Sequence, residues 1–250
     1  MYPEVSIIVP TYRRLDKLAR ALASIAPACS LSHQIIVIDD CPEGSAAQVA
    51  LQYKAQYFCK ADQDRGLSQS RNVGLKLATG KYLVFLDDDD FFTPGGVDAL
   101  HRAISTGASL AFGDYSRLLP NERIRTNLAP ITHEHMLVCN EIPIGSYMIE
   151  RASIRRSFDE GMRSHEDWDF LLFNMNWSHA RHAPFEVVVI DKTQNLDNSM
   201  QARRRAHFWL DFISVYSKFP APELAGLRAK MLAYLGVNLD ENMLRHSDVI

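Results

Sequence analysis

Residues 83–92 read LVFLDDDDFF: four consecutive aspartates fenced by apolar side chains. At an effective dielectric of about 20, two unit charges about 5 Å apart repel by roughly 3 kcal/mol, so such a run needs a cation, or protonation, to relieve it. The stretch reads as the end of a buried strand, 81–86, that opens directly onto a polar site. Working outward, VSIIV (5–9) and QIIVID (34–39) are further apolar, β-branched strands, and AQYFCKA (55–61) is a shorter one. Helical patterns separate them at 15–25, 45–53 and 67–78, the last ending at Gly80. A helix over 94–104 and a strand at SLAFGD (109–114) follow. Strands alternating with helices predict right-handed crossovers and an α/β fold with a mostly parallel, Rossmann-like sheet flanked by helices. In such sheets ligands bind beyond the carboxyl ends of the strands. Residues 10–12, Asp39 with Asp40, and Asp87 to Asp90 all fall at those ends, so three polar segments are expected to converge on one cleft.

The second half changes character. Residues 115–140 are mixed, with strand signals near 117–126, and GSYMIE (145–150) and FEVVVI (185–190) read as strands. EDWDFLLFNMNW (166–177) reads as an apolar helix, and 202–235 is helical with a break at FPAPE (219–223). The expected organisation is one domain over 1–200, made of a nucleotide-like half (1–114) and a second half (115–200) that completes the cleft. A helical tail over 201–250 follows it.

The bulk properties exclude several classes. The chain has 250 residues, 47% hydrophobic, with a net charge of -3, and nothing in that balance suggests nucleic acid. No apolar run approaches the roughly 20 residues of a membrane span, and MYPEVSIIVP lacks the basic start of a signal peptide. The four cysteines form no CxxC pair and read as reduced thiols of a cytoplasmic protein. Nine histidines show no HExxH, and HEH (133–135) reads as surface.

Three segments carry chemistry. On a strand, Asp87 and Asp89 face one way and Asp88 and Asp90 the other. Carboxylates at i and i+2 suit a hard divalent cation such as Mg²⁺ or Mn²⁺, while a solvated acidic loop is the plain alternative. Arg71 lies on the apolar stripe of the 67–78 helix and must be paired, because an unpaired buried charge is too costly. Asp39, Asp40, a member of the 87–90 run or a nucleotide phosphate could each serve. In SHEDWDF (164–170), Glu166 and Asp167 open a helix, where the macrodipole favours carboxylates. Ser164 with Asp167 also resembles a capping box, so capping and catalysis both stay open. ARRRAHFWLDF (202–212) fits either a membrane-surface helix or a tail helix packed on the domain.

Taken in order, VSIIVPTYRR (5–14), IIVIDD (35–40), RGLSQSRNVGLKLATGKYLVFLDDDD (65–90), PIGSYMIERASI (143–154) and FDEGMRSHEDWDFLL (158–172) resemble the inverting family 2 glycosyltransferases of GT-A fold. The resemblance implies that Pro10, Thr11, Tyr12, Asp39 and Asp40 hold the base and ribose of a nucleotide-sugar donor, with Arg71 and Asp88 also at the donor site. It implies a metal, Mn²⁺ or Mg²⁺, on Asp87 and Asp89, with Asp90 a further contributor. Asp167 becomes the base that deprotonates the acceptor hydroxyl, with Glu166 its neighbour, and Gly145 and Ser146 lie near the acceptor. A UDP-sugar is the favoured donor. The acceptor is a glycan, a lipid-linked molecule or another hydroxyl compound, met in the cytoplasm or at the inner face of a membrane through a peripheral contact. Two departures stand out. Cys41 and Pro42 replace the usual small polar pair, and NLDNSMQARRR (195–205) lacks the expected histidine, for which residues 203–205 could substitute. Both leave open a catalytically inactive GT-A-like binding module. A haloacid-dehalogenase-type phosphatase would carry its DxD on the first strand, which here ends in PTYRR. A Rossmann dehydrogenase would need GxGxxG at that turn.

Overall fold

The computed structural model describes residues 2–60, 65–193, 205–239 and 244. The first half alternates as expected: β1 (Val5–Thr11), α1 (Leu15–Ala23), α2 (Ile25–Ala28), β2 (His33–Asp39), α3 (Ala47–Gln52), β3 (Gln56–Cys59), α4 (Leu67–Leu77) and β4 (Tyr82–Phe85). There follow β5 (Phe91–Phe92), α5 (Gly96–Ile104), β6 (Leu110–Leu118), β7 (Arg123–Thr126), α6 (His133–Val138), β8 (Tyr147–Glu150), α7 (Glu166–Asn174) and β9 (Ala180–Asp191). Two helices, α8 (Arg205–Lys218) and α9 (Ala225–Tyr234), come last. Residues 202–204 of the expected tail helix lie outside the described residues.

One sheet runs β3-β2-β1-β4-β8-β6-β9-β5, with β7 on β6. The continuous apolar run of β1 is buried at every position, as a strand covered on both faces requires. The β3, β2, β1 and β4 pairings are parallel. Beyond β4 the sheet is mixed: β8 is antiparallel to both β4 and β6, while β6 and β9 are parallel. The strand at 109–114 therefore does not extend the parallel half. The apolar Tyr147–Ile149 segment takes that edge instead, and β6 commits its other edge to β9.

Register and close packing set up the cleft. Ile8 pairs with Phe85, so three residues further along each chain Thr11 and Asp88 arrive level. Helix α4 lies directly on β1, because a Cβ at Gly74 would come within 2.3 Å of Ile8 Cγ2. That approach brings Arg71, one turn earlier, over the carboxyl ends of the strands. The C-terminal helices pack into the domain rather than trailing from it: Phe212, Val215 and Tyr216 are buried, and the Tyr216 hydroxyl donates to the Val138 carbonyl at 2.7 Å. Among the described residues no helix is long and apolar enough to cross a membrane.

Candidate active site

The four aspartates do not continue β4. They form a turn, closed by the Asp90 N–H on the Asp87 carbonyl at 3.1 Å, yet the alternation expected of a strand survives in their burial, since Asp88 and Asp90 are the inward pair. Each has its own partner. Asp87 accepts from Arg71 at 2.9 Å. Asp88 accepts from the Thr11 hydroxyl at 2.7 Å and from Arg14 at 3.1 Å. Asp89 accepts from the same Arg14 nitrogen at 2.8 Å, and its backbone carbonyl from Arg20 at 2.7 Å. Asp90 accepts from the Asp191 N–H at 3.0 Å. Arginines and a backbone amide thus relieve repulsion that the sequence assigns to a metal. Burial still pushes the Asp88 carboxyl up to about 6, against the pull of Arg14 and Thr11. Burial, with Asp87 and Asp89 nearby, raises Asp90 well above the carboxylate range.

Arg71 joins this run to the second acidic segment. Its guanidinium is buried and donates one arm to Asp87 and the other to Glu166 Oε1 at 2.6 Å, over the face of Phe158. Its partner is thus one of the four groups expected from sequence, plus one that was not. An arginine fork of fixed geometry sets the spacing of the two carboxylates it bridges.

The start of α7 differs from the capping-box expectation. The N-cap is His165, in the left-handed region at φ 58° and with no side-chain cap bond, a conformation that costs about 1–3 kcal/mol in a residue other than glycine. Asp167 is therefore the second helical residue, and the Ser164 hydroxyl turns away to Asp211 of α8 at 3.1 Å. Asp167 accepts from the Asn140 amide at 3.2 Å and from the Trp168 N–H at 2.8 Å. Burial, with Glu166 beside it, pushes its carboxyl up to about 7 against the attraction of Arg71. Behind it, among the described residues, the Tyr147 hydroxyl and Asn140 Oδ1 are buried with no hydrogen-bond partner.

A cleft of about 890 Å³ lies over these groups. Of the residues expected at a site, Pro10, Thr11, Tyr12, Asp40, Asp87, Asp88, Asp89 and Glu166 line it. Arg71, buried, and Asp167, half-buried and next to Glu166 on α7, are not part of that lining. Asp40 holds the cleft edge in place, paired with Lys60 at 2.8 Å and accepting from the Gly66 N–H at 3.0 Å. Asp39 and Asp90 stand apart. Asp39 is fully buried, and its oxygens accept from the Cys41 and Ala46 N–H groups and the Tyr57 hydroxyl. It shapes the loop after β2 instead of presenting an oxygen to a ribose. Asp90 is outside the cleft lining, so two of the three expected metal carboxylates remain there. Among the described residues no group of three potential ligands converges. Asp87 and Asp89 still fit a hard cation: each commits one carboxylate oxygen to an arginine, and Mg²⁺-type ions take one or two carboxylates plus substrate phosphate.

Sequence reasoning missed the cations of the cleft wall, Arg14, Arg65, Arg163 and Lys192. Arg14 carried a signal, because it closes PTYRR just past the strand end where a ligand is expected. The region of the missing histidine, 194–204, lies outside the described residues.

Similarity to known proteins agrees with this arrangement. The profile of Glycosyl transferase family 2 matches residues 6–127. An uncharacterized glycosyltransferase of Haemophilus influenzae is 29% identical over 181 residues, 67% of this chain and 60% of its own length, so this chain spans well under the whole of that relative. The crystal structure of S. aureus TarS 1–349 in complex with UDP superposes with a TM-score of 0.65 at 19% identity, covering 96% of this chain and 68% of that one. The mannosyltransferase PcManGT from Pyrobaculum calidifontis, in complex with GDP-Man and Mn²⁺, gives 0.65 at 18% identity, covering 99% and 73%. With the ordered motifs, the mixed sheet and the cleft at its strand ends, these likenesses identify residues 6–127 as a Glycosyl transferase family 2 segment, in a chain whose fold is that of the GT-A glycosyltransferases.

Proposed function

We propose that this chain transfers a sugar from a nucleotide-diphosphate-sugar, a UDP-sugar before others, to an acceptor hydroxyl with inversion at the anomeric carbon. The observation that carries the reading is Arg71, which ties Asp87 at the donor end to Glu166, the immediate neighbour of a carboxyl poised near neutrality. Tyr12, 43% exposed on the cleft wall, offers a face for the base. Arg14, Arg65 and Lys192 supply positive charge for a diphosphate. A divalent cation held by Asp87 and Asp89 would supply Lewis-acid stabilisation of the leaving diphosphate.

A hydroxyl is a weak nucleophile, and a carboxylate within reach must take its proton as the new bond forms. Asp167 is suited to this, since its carboxyl, raised to about 7, has a basicity matched to neutral pH. Glu166, held by Arg71, fixes the first turn of α7 from which Asp167 projects. Attack from the side opposite the diphosphate inverts the configuration in one displacement. The acceptor class fitted to this site is a hydroxyl of a glycan or a lipid-linked molecule, reached in the cytoplasm or at a membrane face.

The test is calorimetric titration with UDP, GDP and dTDP, each with Mn²⁺ and with EDTA, on wild type and Asp89→Ala. Binding of one nucleotide only with Mn²⁺, abolished by the substitution, is the expected result. Binding of none under any condition would leave the inactive binding module as the better reading.

A further inference from the structure

The segment carrying the proposed base is gripped from a distant part of the chain. Arg163 N–H and Ser164 N–H both donate to Asp211 Oδ2, each at 2.9 Å, and the Ser164 hydroxyl joins them. Three donors from two successive residues thus meet one carboxylate oxygen of α8. The next residue, His165, takes the left-handed conformation that starts α7. Its ring sits between Phe208 and Phe212, at centroid distances of 4.4 and 5.0 Å, with Trp168 beneath at 5.9 Å. Phe208, Asp211 and Phe212 stand at i, i+3 and i+4, so one face of α8 makes all of these contacts except that of Trp168, which is on α7 itself. Seven residues after Asp211, Lys218 reaches Asp159 at 2.7 Å and Asp169 at 3.1 Å. The gripped span, 159–169, holds Glu160, Met162, Arg163 and Glu166 on the cleft wall, with Asp167 next to Glu166 in the chain.

A left-handed non-glycine residue persists only where its surroundings over-determine it. Asp211 fixes the two amides before the turn, and the aromatic pair fixes the ring at the turn. Together they set the direction in which α7 leaves, and with it the aim of Asp167.

We propose that Asp211 is a positioning residue for sugar transfer, and that α8 belongs to the catalytic unit although it lies beyond the last strand. This inference rests on the glycosyltransferase reading above. With Asp211 gone, the turn at 163–165 relaxes and Asp167 loses its aim, while the donor site on β1, β4 and α4 is untouched.

The experiment uses the whole chain as wild type, Asp211→Asn and Asp211→Leu. Nucleotide release from UDP-glucose, UDP-N-acetylglucosamine, UDP-galactose and GDP-mannose is followed with Mn²⁺ and water as acceptor. Calorimetry gives Kd for the matching nucleotide diphosphate, and hydrogen exchange is read over 159–169. Asp211→Leu is expected to lower kcat 10- to 100-fold, with donor KM and nucleotide Kd within twofold and faster exchange confined to that segment. Asp211→Asn keeps an acceptor oxygen and is expected within fivefold of wild type, which preserves the test should the leucine variant fail to fold. Wild-type kcat in Asp211→Leu with faster local exchange would overturn the proposal, as would a parallel loss of kcat and nucleotide affinity. If both variants fail to fold, Asp211 is a stability residue and the proposal falls. A wild-type chain that releases nucleotide from none of the four donors would instead overturn the glycosyltransferase reading, and this inference with it.

Discussion

Two acidic segments face each other across Arg71, and each divides into members set against arginines at the cleft and members raised by burial. In the run after β4, Asp87 and Asp89 sit against arginines at the cleft, while the inward Asp88 and Asp90 are raised by burial. At the start of α7, Glu166 takes the arginine and Asp167 is the raised member. The difference lies in how the raised groups are fastened. Asp88 is sealed by Thr11 and Arg14, and Asp90 lies outside the cleft. Asp167 has a 3.2 Å bond from an amide and the N–H of its own neighbour, and it is not fully enclosed. A carboxyl that must take a proton from a substrate needs this combination of raised basicity and loose tethering, and the run after β4 lacks it.

The comparison breaks most sharply at Asp167. Asp167→Asn is expected to slow transfer by about 10²- to 10⁴-fold, the usual share of a general base, with nucleotide affinity unchanged by calorimetry. The same variant probes the effect of burial. A carboxyl whose folded value lies near 7, above its ordinary 3.8, binds a proton more tightly folded than unfolded. Its effect on stability is therefore favourable below about pH 4 and is lost as pH rises toward 7. Asn removes that loss, so Asp167→Asn should melt higher than wild type at pH 8. An unchanged or lower melting temperature would mean that the carboxyl is not held in a costly environment.

Next is the bridge. Arg71→Met leaves Asp87 and Glu166 facing each other without their cation, and loss of one partner from a buried ion pair costs about 3–5 kcal/mol. Urea denaturation at pH 7 measures it, and a change under about 1 kcal/mol would show that solvent already serves both carboxylates. The pH dependence is gentler: kcat/KM is expected to rise about tenfold per unit up to about pH 7 and then flatten. A limb near pH 4 would assign proton transfer to an ordinary carboxylate. The smallest effect belongs to Asp88→Asn, whose amide oxygen still accepts from Thr11. At pH 8 loss of the Arg14 contact is offset by relief of the buried charge, so denaturation is expected to show a change under about 1 kcal/mol.

Much of this was legible in sequence, for reasons that differ by region. The strands of the parallel half are continuous apolar runs ended by polar punctuation, and their order follows from crossover rules, so β1, β2, β4 and the cleft beyond them could be placed. Strand β8 could not, because its intrusion between β4 and β6 depends on which distant edge is free. The candidate carboxylates were found, but Asp39 and Asp40 are indistinguishable in sequence. Only the fold shows that Cys41, Ala46 and Tyr57 consume the first and that the second faces the cleft. The capping box failed for a similar reason: Asp211, 47 residues away, displaces the local partner of Ser164.

The most direct test of the central claim sets the two segments side by side: UDP affinity with Mn²⁺ and nucleotide release from the donor, for Asp89→Asn and Asp167→Asn. The account predicts that Asp89→Asn loses affinity and turnover together, whereas Asp167→Asn keeps affinity and loses turnover. Loss of affinity in Asp167→Asn, or full turnover in it, would contradict the division of labour across Arg71.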